Sequence, residues 1–115
     1  MLEKVRSVVG EKKGSDSPIA AIVIEPTQQS TGYVASDNFI AALKSIAADF
    51  DAALVVDETS TGCGASGKGF WQYKGPTADY VTFGKRTQIA GYFSQTPGVK
   101  VGGCEDDLLL FKAIH

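Results

Sequence analysis

Two charged residues, each at the end of its own apolar run, carry the clearest chemistry in this 115-residue chain: Asp57 closes AALVVDE and Lys85 follows YVTFG. In a parallel sheet both would project from the carboxyl edge of the strands, where open α/β sheets bind their ligands. A primary amine forms an imine with an aldehyde, and a carboxylate keeps a neighbouring ring nitrogen protonated. Those are the two demands of pyridoxal phosphate. Taken singly each residue has a plainer reading, Asp57 and Glu58 as solvated strand-end carboxylates or helix caps and Lys85 as a surface lysine. The surrounding sequence has to decide.

The elements that must position the pair can be read from periodicity. Residues 1–14 read as the end of a helix, with Leu2, Val5, Val8 and Val9 at helical spacing and Gly10 and Gly14 as stops. Ile19 to Ile24 is an unbroken apolar run rich in β-branched residues, the pattern of a strand covered on both faces, and it ends at Glu25-Pro26 because proline gives the ladder no donor. Ser36 is a candidate N-cap, and Phe39, Leu43, Ile46 and Phe50 form the apolar stripe of a helix. Asp49 and Asp51 oppose the dipole at its C-terminus, a local fault with no explanation in the sequence. Ala52 to Val56 is a second buried strand, completing a right-handed βαβ unit. Tyr80 to Phe83 is a third strand, IAGYFSQ a fourth, TPGVKVGG a turn, and DDLLLFKAIH the start of a helix. Strands alternating with helices predict an α/β fold with a mostly parallel sheet in a three-layer αβα arrangement, left incomplete in this chain.

Composition and other motifs exclude several classes. With 43% hydrophobic and 10% aromatic residues the chain is an ordinary globular one, and a net charge of -2 with scattered basic residues points away from nucleic acid. IAAIVI is far shorter than the roughly 20 residues that span a bilayer, so no membrane partner is expected, and LEKVRSVVGEKKGSD resembles neither a signal peptide nor a presequence. Cys63 and Cys104 lack CxxC spacing, so they are expected as reduced thiols with no zinc site, and His115, the sole histidine, ends the chain and argues against a Ser-His-Asp or Cys-His nucleophile. Gly62 to Gly67 matches GxGxxG and nearly a P-loop with Lys68. The residue after that lysine is Gly69 rather than Ser or Thr, however, and Gly75 and Pro76 leave no helix to follow. Residues 59–78 are expected to be a long glycine-rich functional loop holding Trp71.

In their order and spacing, IVIEPTQ, LVVDETSTGCGASGKGFW and YVTFGKRTQ resemble the class III, ω-amino-acid branch of the pyridoxal-phosphate aminotransferases, over about Ile19 to Gln95. That family carries a strand ending in EP, a helix, a strand ending in DE before a loop TGxGxTGxxW, and a strand ending F-[SGA]-K. The resemblance implies the large domain of a fold-type I aminotransferase, with residues 1–115 as a central fragment of the cofactor-binding part. It implies transamination of an ω-amino acid such as 4-aminobutyrate with 2-oxoglutarate, a homodimer, and a mitochondrial or cytoplasmic setting. ASDNF, GKGFW and AGYF favour the 4-aminobutyrate donor; FGK followed by TQ, with the GCG loop, makes the 6-amino group of lysine the alternative. Lys85 would bond the cofactor and carry the proton, and Asp57 would pair with the ring nitrogen. Thr59 and Ser60 would contact the cofactor where the family has Val and Gln, and Glu25 would face the substrate and engage an arginine outside this chain. The competing readings are a truncated chain without catalysis and a small α/β module that binds a phosphorylated ligand at its glycine loop.

Overall fold

The computed structural model describes residues 1–65, 67 and 78–94. The expectations for Lys68 to Trp71, Cys104, the turn at 96–103 and the terminal helix lie outside the described residues. Helix α1 (Leu2–Glu11) precedes strand β1 (Ala21–Ile24), helix α2 (Asp37–Asp49) and strand β2 (Ala53–Asp57); β3 (Tyr80–Phe83), a 3-10 turn (Lys85–Thr87) and β4 (Gly91–Ser94) follow. The strands lie in the order β1-β2-β3-β4. β1 and β2 are parallel with Ile22 beside Leu54, β2 and β3 are parallel with Asp57 beside Thr82, and β4 closes the edge antiparallel to β3. The fold class is α/β with a mostly parallel, open sheet, as predicted.

Alternation along the strands sorts the side chains. Leu54 and Val56 point to the α2 face, where both are fully buried, and Ile22 and Ile24 share that face by register. Ile40, Leu43 and Ala47 of α2 pack there with Ala35 and Ala52, and Leu2, Val5 and Phe39 border the cluster. The inward stripe of α2 is therefore Ile40, Leu43, Ile46 and Ala47, rotated from the predicted one. Phe39 and Phe50 fall at its margins, where the Phe50 ring lies 5.4 Å from Lys13 Nζ and 5.9 Å from the Arg6 guanidinium carbon. In α1, Val9 is buried and Val8 exposed, because the stripe that meets α2 runs through Leu2, Val5 and Val9. The expectation that β1 is covered on both faces is corrected as well. Val23 is 65% exposed, because both helices lie on one face of the sheet among the described residues.

The acidic end of α2 also finds its reason. Asp49 is paired with Arg6 of α1 at 2.8 Å. Asp51 takes φ +57, and the Ala52 N–H donates to the Ala47 carbonyl at 2.9 Å while the Asp51 N–H donates to Ala48 at 3.3 Å. This is a Schellman ending, in which aspartate occupies the left-handed position that glycine fills most readily.

Asp79 ties the layers together. Its Oδ2 accepts from the Leu54 N–H at 2.7 Å, its own N–H donates to the Leu54 carbonyl at 3.0 Å, and Lys44 of α2 donates to both carboxylate oxygens at 2.5 and 2.6 Å. Burial pushes the Asp79 carboxyl up, but the Lys44 and Leu54 hydrogen bonds outweigh it and the group lies below its ordinary value.

These anchors and the cap of α2 set three expectations for stability. Asp79→Ala should cost about 1–3 kcal/mol in urea unfolding by stranding its partners, whereas Lys44→Ala should cost about 1 kcal/mol or less. Because the folded Asp79 pKa is depressed, its contribution is present above the unfolded value of 3.8 and lost as pH falls through the lower folded value, so Asp79→Asn should flatten the acid limb of stability. Asp51→Gly should raise stability by about 1 kcal/mol, and Asp51→Val should lower it.

Candidate active site

Asp57 ends β2 on the sheet face opposite α2 and faces Thr82 across the ladder. Its Oδ1 accepts from the Thr59 N–H at 2.9 Å and from the Thr82 hydroxyl at 2.9 Å. Burial pushes the carboxyl up, yet the Thr59 N–H, the Thr59 and Thr82 hydroxyls and the positive charge of Lys85 hold it below its ordinary value. Asp57 is thus a fixed anion throughout the neutral range.

The turn after Asp57 is built from its own backbone. The Glu58 N–H donates to the Thr82 carbonyl at 3.1 Å, extending the ladder, and the Gly62 N–H donates to the Glu58 carbonyl at 2.7 Å. The Glu58 side chain is fully buried, and one oxygen accepts from the Thr61 hydroxyl. This tight turn presents Ser60 toward the next strand's end. Cys63, at φ +58, is a free thiol, as expected.

Lys85 opens the 3-10 turn beyond β3 with φ +37, a conformation that costs a non-glycine residue about 1–3 kcal/mol. The turn is closed by the Thr87 N–H on the Gly84 carbonyl at 3.3 Å and the Gln88 N–H on the Lys85 carbonyl at 3.2 Å. Lys85 Nζ donates to Gln29 Oε1 at 2.8 Å and to Ser60 Oγ at 2.6 Å.

Gln29 comes from the loop beyond β1. That loop is folded back on itself by the Gln28 N–H on the Tyr33 carbonyl at 2.9 Å, the Gly32 N–H on the Gln28 carbonyl at 2.8 Å and the Ala35 N–H on the Pro26 carbonyl at 2.7 Å. The Gln29 N–H reaches Glu25 Oε1 at 3.4 Å. Together Glu25, Gln29, Ser30, Ser60 and Lys85 line an open depression of about 340 Å³.

Of the residues singled out in the sequence, Glu25, Ser60 and Lys85 meet in this depression, and Asp57 stands close enough to feel the Lys85 charge. Thr59 sits elsewhere, against the Asp57 carboxylate through its N–H and hydroxyl, with its methyl carbon 3.6 Å from where a Gly84 Cβ would stand. Gln29, Ser30 and Thr82 were not legible as site residues. Thr82 was in principle within reach, since strand register puts it opposite Asp57; Gln29 and Ser30 lie in an aperiodic loop with no signal. Among the described residues no group of three His, Cys, Asp or Glu side chains converges as a metal site.

The donor set has three features. It combines an anion that stays ionised, a primary amine whose hydrogen-bond partners are neutral, and a shared position at the carboxyl ends of two parallel strands. An aldehyde attached to a protonated heteroaromatic ring fits these residues.

Comparison with known proteins covers most of the chain. The family model described as aminotransferase class-III matches residues 1–99. The chain is 40% identical over 85 residues to 4-aminobutyrate aminotransferase of Saccharomyces cerevisiae, covering 70% of this chain and 18% of that protein. It is 35% identical over 97 residues to the mitochondrial 4-aminobutyrate aminotransferase of Homo sapiens, covering 80% of this chain and 19% of that protein. The chain thus spans less than a fifth of the length of these relatives. Among solved structures, the lysine aminotransferase from M. tuberculosis superposes with a TM-score of 0.71 at 33% identity, covering 81% of this chain and 21% of that one.

The Thr82 hydroxyl is one cause of the depressed Asp57 pKa. Thr82→Val should therefore move the Asp57 titration upward, toward its ordinary value, in carboxyl carbon NMR. An unmoved titration would show that the Thr59 contacts and the Lys85 charge alone hold the group down.

Proposed function

The chain belongs to the class-III aminotransferases, and from that premise we propose that its strand-edge site binds pyridoxal phosphate and serves transamination between an ω-amino acid and 2-oxoglutarate. The observation that carries this reading is the pairing of an ionised Asp57 with a Lys85 amine held by neutral partners on one sheet edge. Pyridoxal phosphate, when bound, supplies an aldehyde for the lysine and a ring that withdraws electrons from the substrate carbon. Asp57 holds the ring nitrogen in its protonated form, and the hydrogen bonds of Thr59 and Thr82 keep that carboxylate from taking the proton itself. Lys85 Nζ would take the proton from the substrate carbon and pass it to the cofactor. Ser60 holds its hydroxyl at the amine, and Glu25, the carboxylate that lines the depression among the described residues, draws the cationic end of the amino acid toward Lys85.

Within the family we read 4-aminobutyrate as the donor, on the 35% and 40% identity to enzymes of that name. Lysine is the second reading, favoured by the superposition on a lysine aminotransferase. Residues 1–115 form a central part of the cofactor-binding large domain in this reading, in keeping with the share of each relative that the chain spans and the bare sheet face at Val23. A homodimer, in the mitochondrial matrix or the cytoplasm, is the proposed working form.

The protein should be incubated with pyridoxal phosphate, dialysed and reduced with borohydride. A phosphopyridoxyl mass increment is expected on the Lys85 peptide and absent in Lys85→Ala. Asp57→Asn should lower glutamate formation from 4-aminobutyrate and 2-oxoglutarate on the order of 10²-fold or more. Labelling without transfer would support the reading of a chain that binds the cofactor but does not catalyse. No increment at Lys85 would sink the proposal.

A further inference from the structure

Lys85 is held by two side chains that come from different parts of the chain. Gln29 approaches from the loop beyond β1 and Ser60 from the turn beyond β2, at 2.8 and 2.6 Å from Nζ. Both are neutral acceptors. Two of the nitrogen's hydrogens are taken up by these acceptors, so the direction left over, which a third proton occupies in the ammonium, is where the lone pair stands once that proton is lost. A carboxylate in either place would instead hold a third proton on the nitrogen and consume that lone pair.

We infer that Gln29 and Ser60 are positioning residues that orient the Lys85 amine so that its lone pair faces a carbonyl carbon entering the depression. This rests on the reading of Lys85 as the amine that reacts. Both acceptors are themselves held. Gln29 is anchored through its N–H to Glu25, within a loop closed by the Gln28–Tyr33 and Pro26–Ala35 bonds, and Ser60 lies in the turn closed by the Gly62 N–H on the Glu58 carbonyl. The left-handed backbone of Lys85 fixes the root of the side chain as well. Pre-set orientation of this kind lowers the barrier of an addition without a new contact to the reactant.

The step itself balances simply. The lone pair forms the C–N bond while the carbonyl π pair moves to oxygen, and the oxygen then leaves as water together with the two hydrogens of the amine. Gln29 and Ser60 engage those two hydrogens during the attack and release them to the oxygen before it departs as water.

Formaldehyde with cyanoborohydride tests this in the full chain without any cofactor, since the hydride traps each imine as a methylamine that peptide mass analysis assigns to its lysine. Ser60→Ala and Gln29→Leu should each slow methylation of Lys85 about five-fold, the rate equivalent of one hydrogen bond's net worth. Ser60→Thr, which keeps the hydroxyl, should restore it. Methylation of Lys4 and Lys44 should be unchanged in all variants. An unchanged or faster Lys85 in Ser60→Ala and Gln29→Leu would overturn the inference, and so would a slowing shared by Lys44. Because formaldehyde needs no cofactor site, this result stands whether or not phosphopyridoxal labels Lys85, and the two readings fail separately.

Discussion

The parallel pairing of β2 with β3 sets Asp57 beside Thr82 and carries the chain onward to Lys85, so every feature of the site depends on that register. A slip of one residue in β3 would turn Thr82 into the apolar layer beneath α2 and remove its hydroxyl from the carboxylate. The register is secured upstream by Asp79, which exchanges both a backbone and a side-chain hydrogen bond with Leu54 and receives Lys44 from α2. An ion pair at the residue just before a four-residue strand thus helps to set the register at its far end.

The depression is an assembly of three loop ends, each made rigid locally and then brought together by the sheet. The segment after β1 is laced by its own backbone hydrogen bonds, the turn after β2 by Glu58 and Gly62, and the 3-10 turn after β3 by Gly84 and Lys85. This division explains how a small, open sheet presents a defined amine. Rigidity comes from short-range bonds, and convergence comes from parallel strands whose carboxyl ends share one edge. The left-handed φ of Lys85 adds a local constraint at the root of that side chain.

The two faces of the sheet are unequal. One is packed by α2 with Leu54 and Val56 fully buried, while Val23 on the other is 65% exposed. Parallel sheets are ordinarily covered on both faces, and the site residues Asp57 and Thr82 lie on the less covered one. The same side of the sheet therefore carries both the candidate site residues and the exposed Val23 of β1.

The sequence by itself determined the order of elements, the strand ends at Ile24 and Phe83 and, to within one residue, at Asp57, the N-cap at Ser36, and the family to which the EP, DE and FGK segments belong. These follow from local rules, namely apolar runs, proline's missing donor, a hydroxyl before a helix, and motif spacing. The tertiary structure decided what depends on distant partners. Ile40 and Ala47, rather than Phe39 and Phe50, face the core because the helix had to turn its stripe toward Leu54 and Val56. Asp49 and Asp51, unfavourable by the dipole alone, are accommodated by Arg6 and by a left-handed cap. Gln29 joins Lys85 across 56 positions of sequence, a contact that no periodicity encodes, because only the alignment of two strand ends in space brings an amide from one loop to an amine in another.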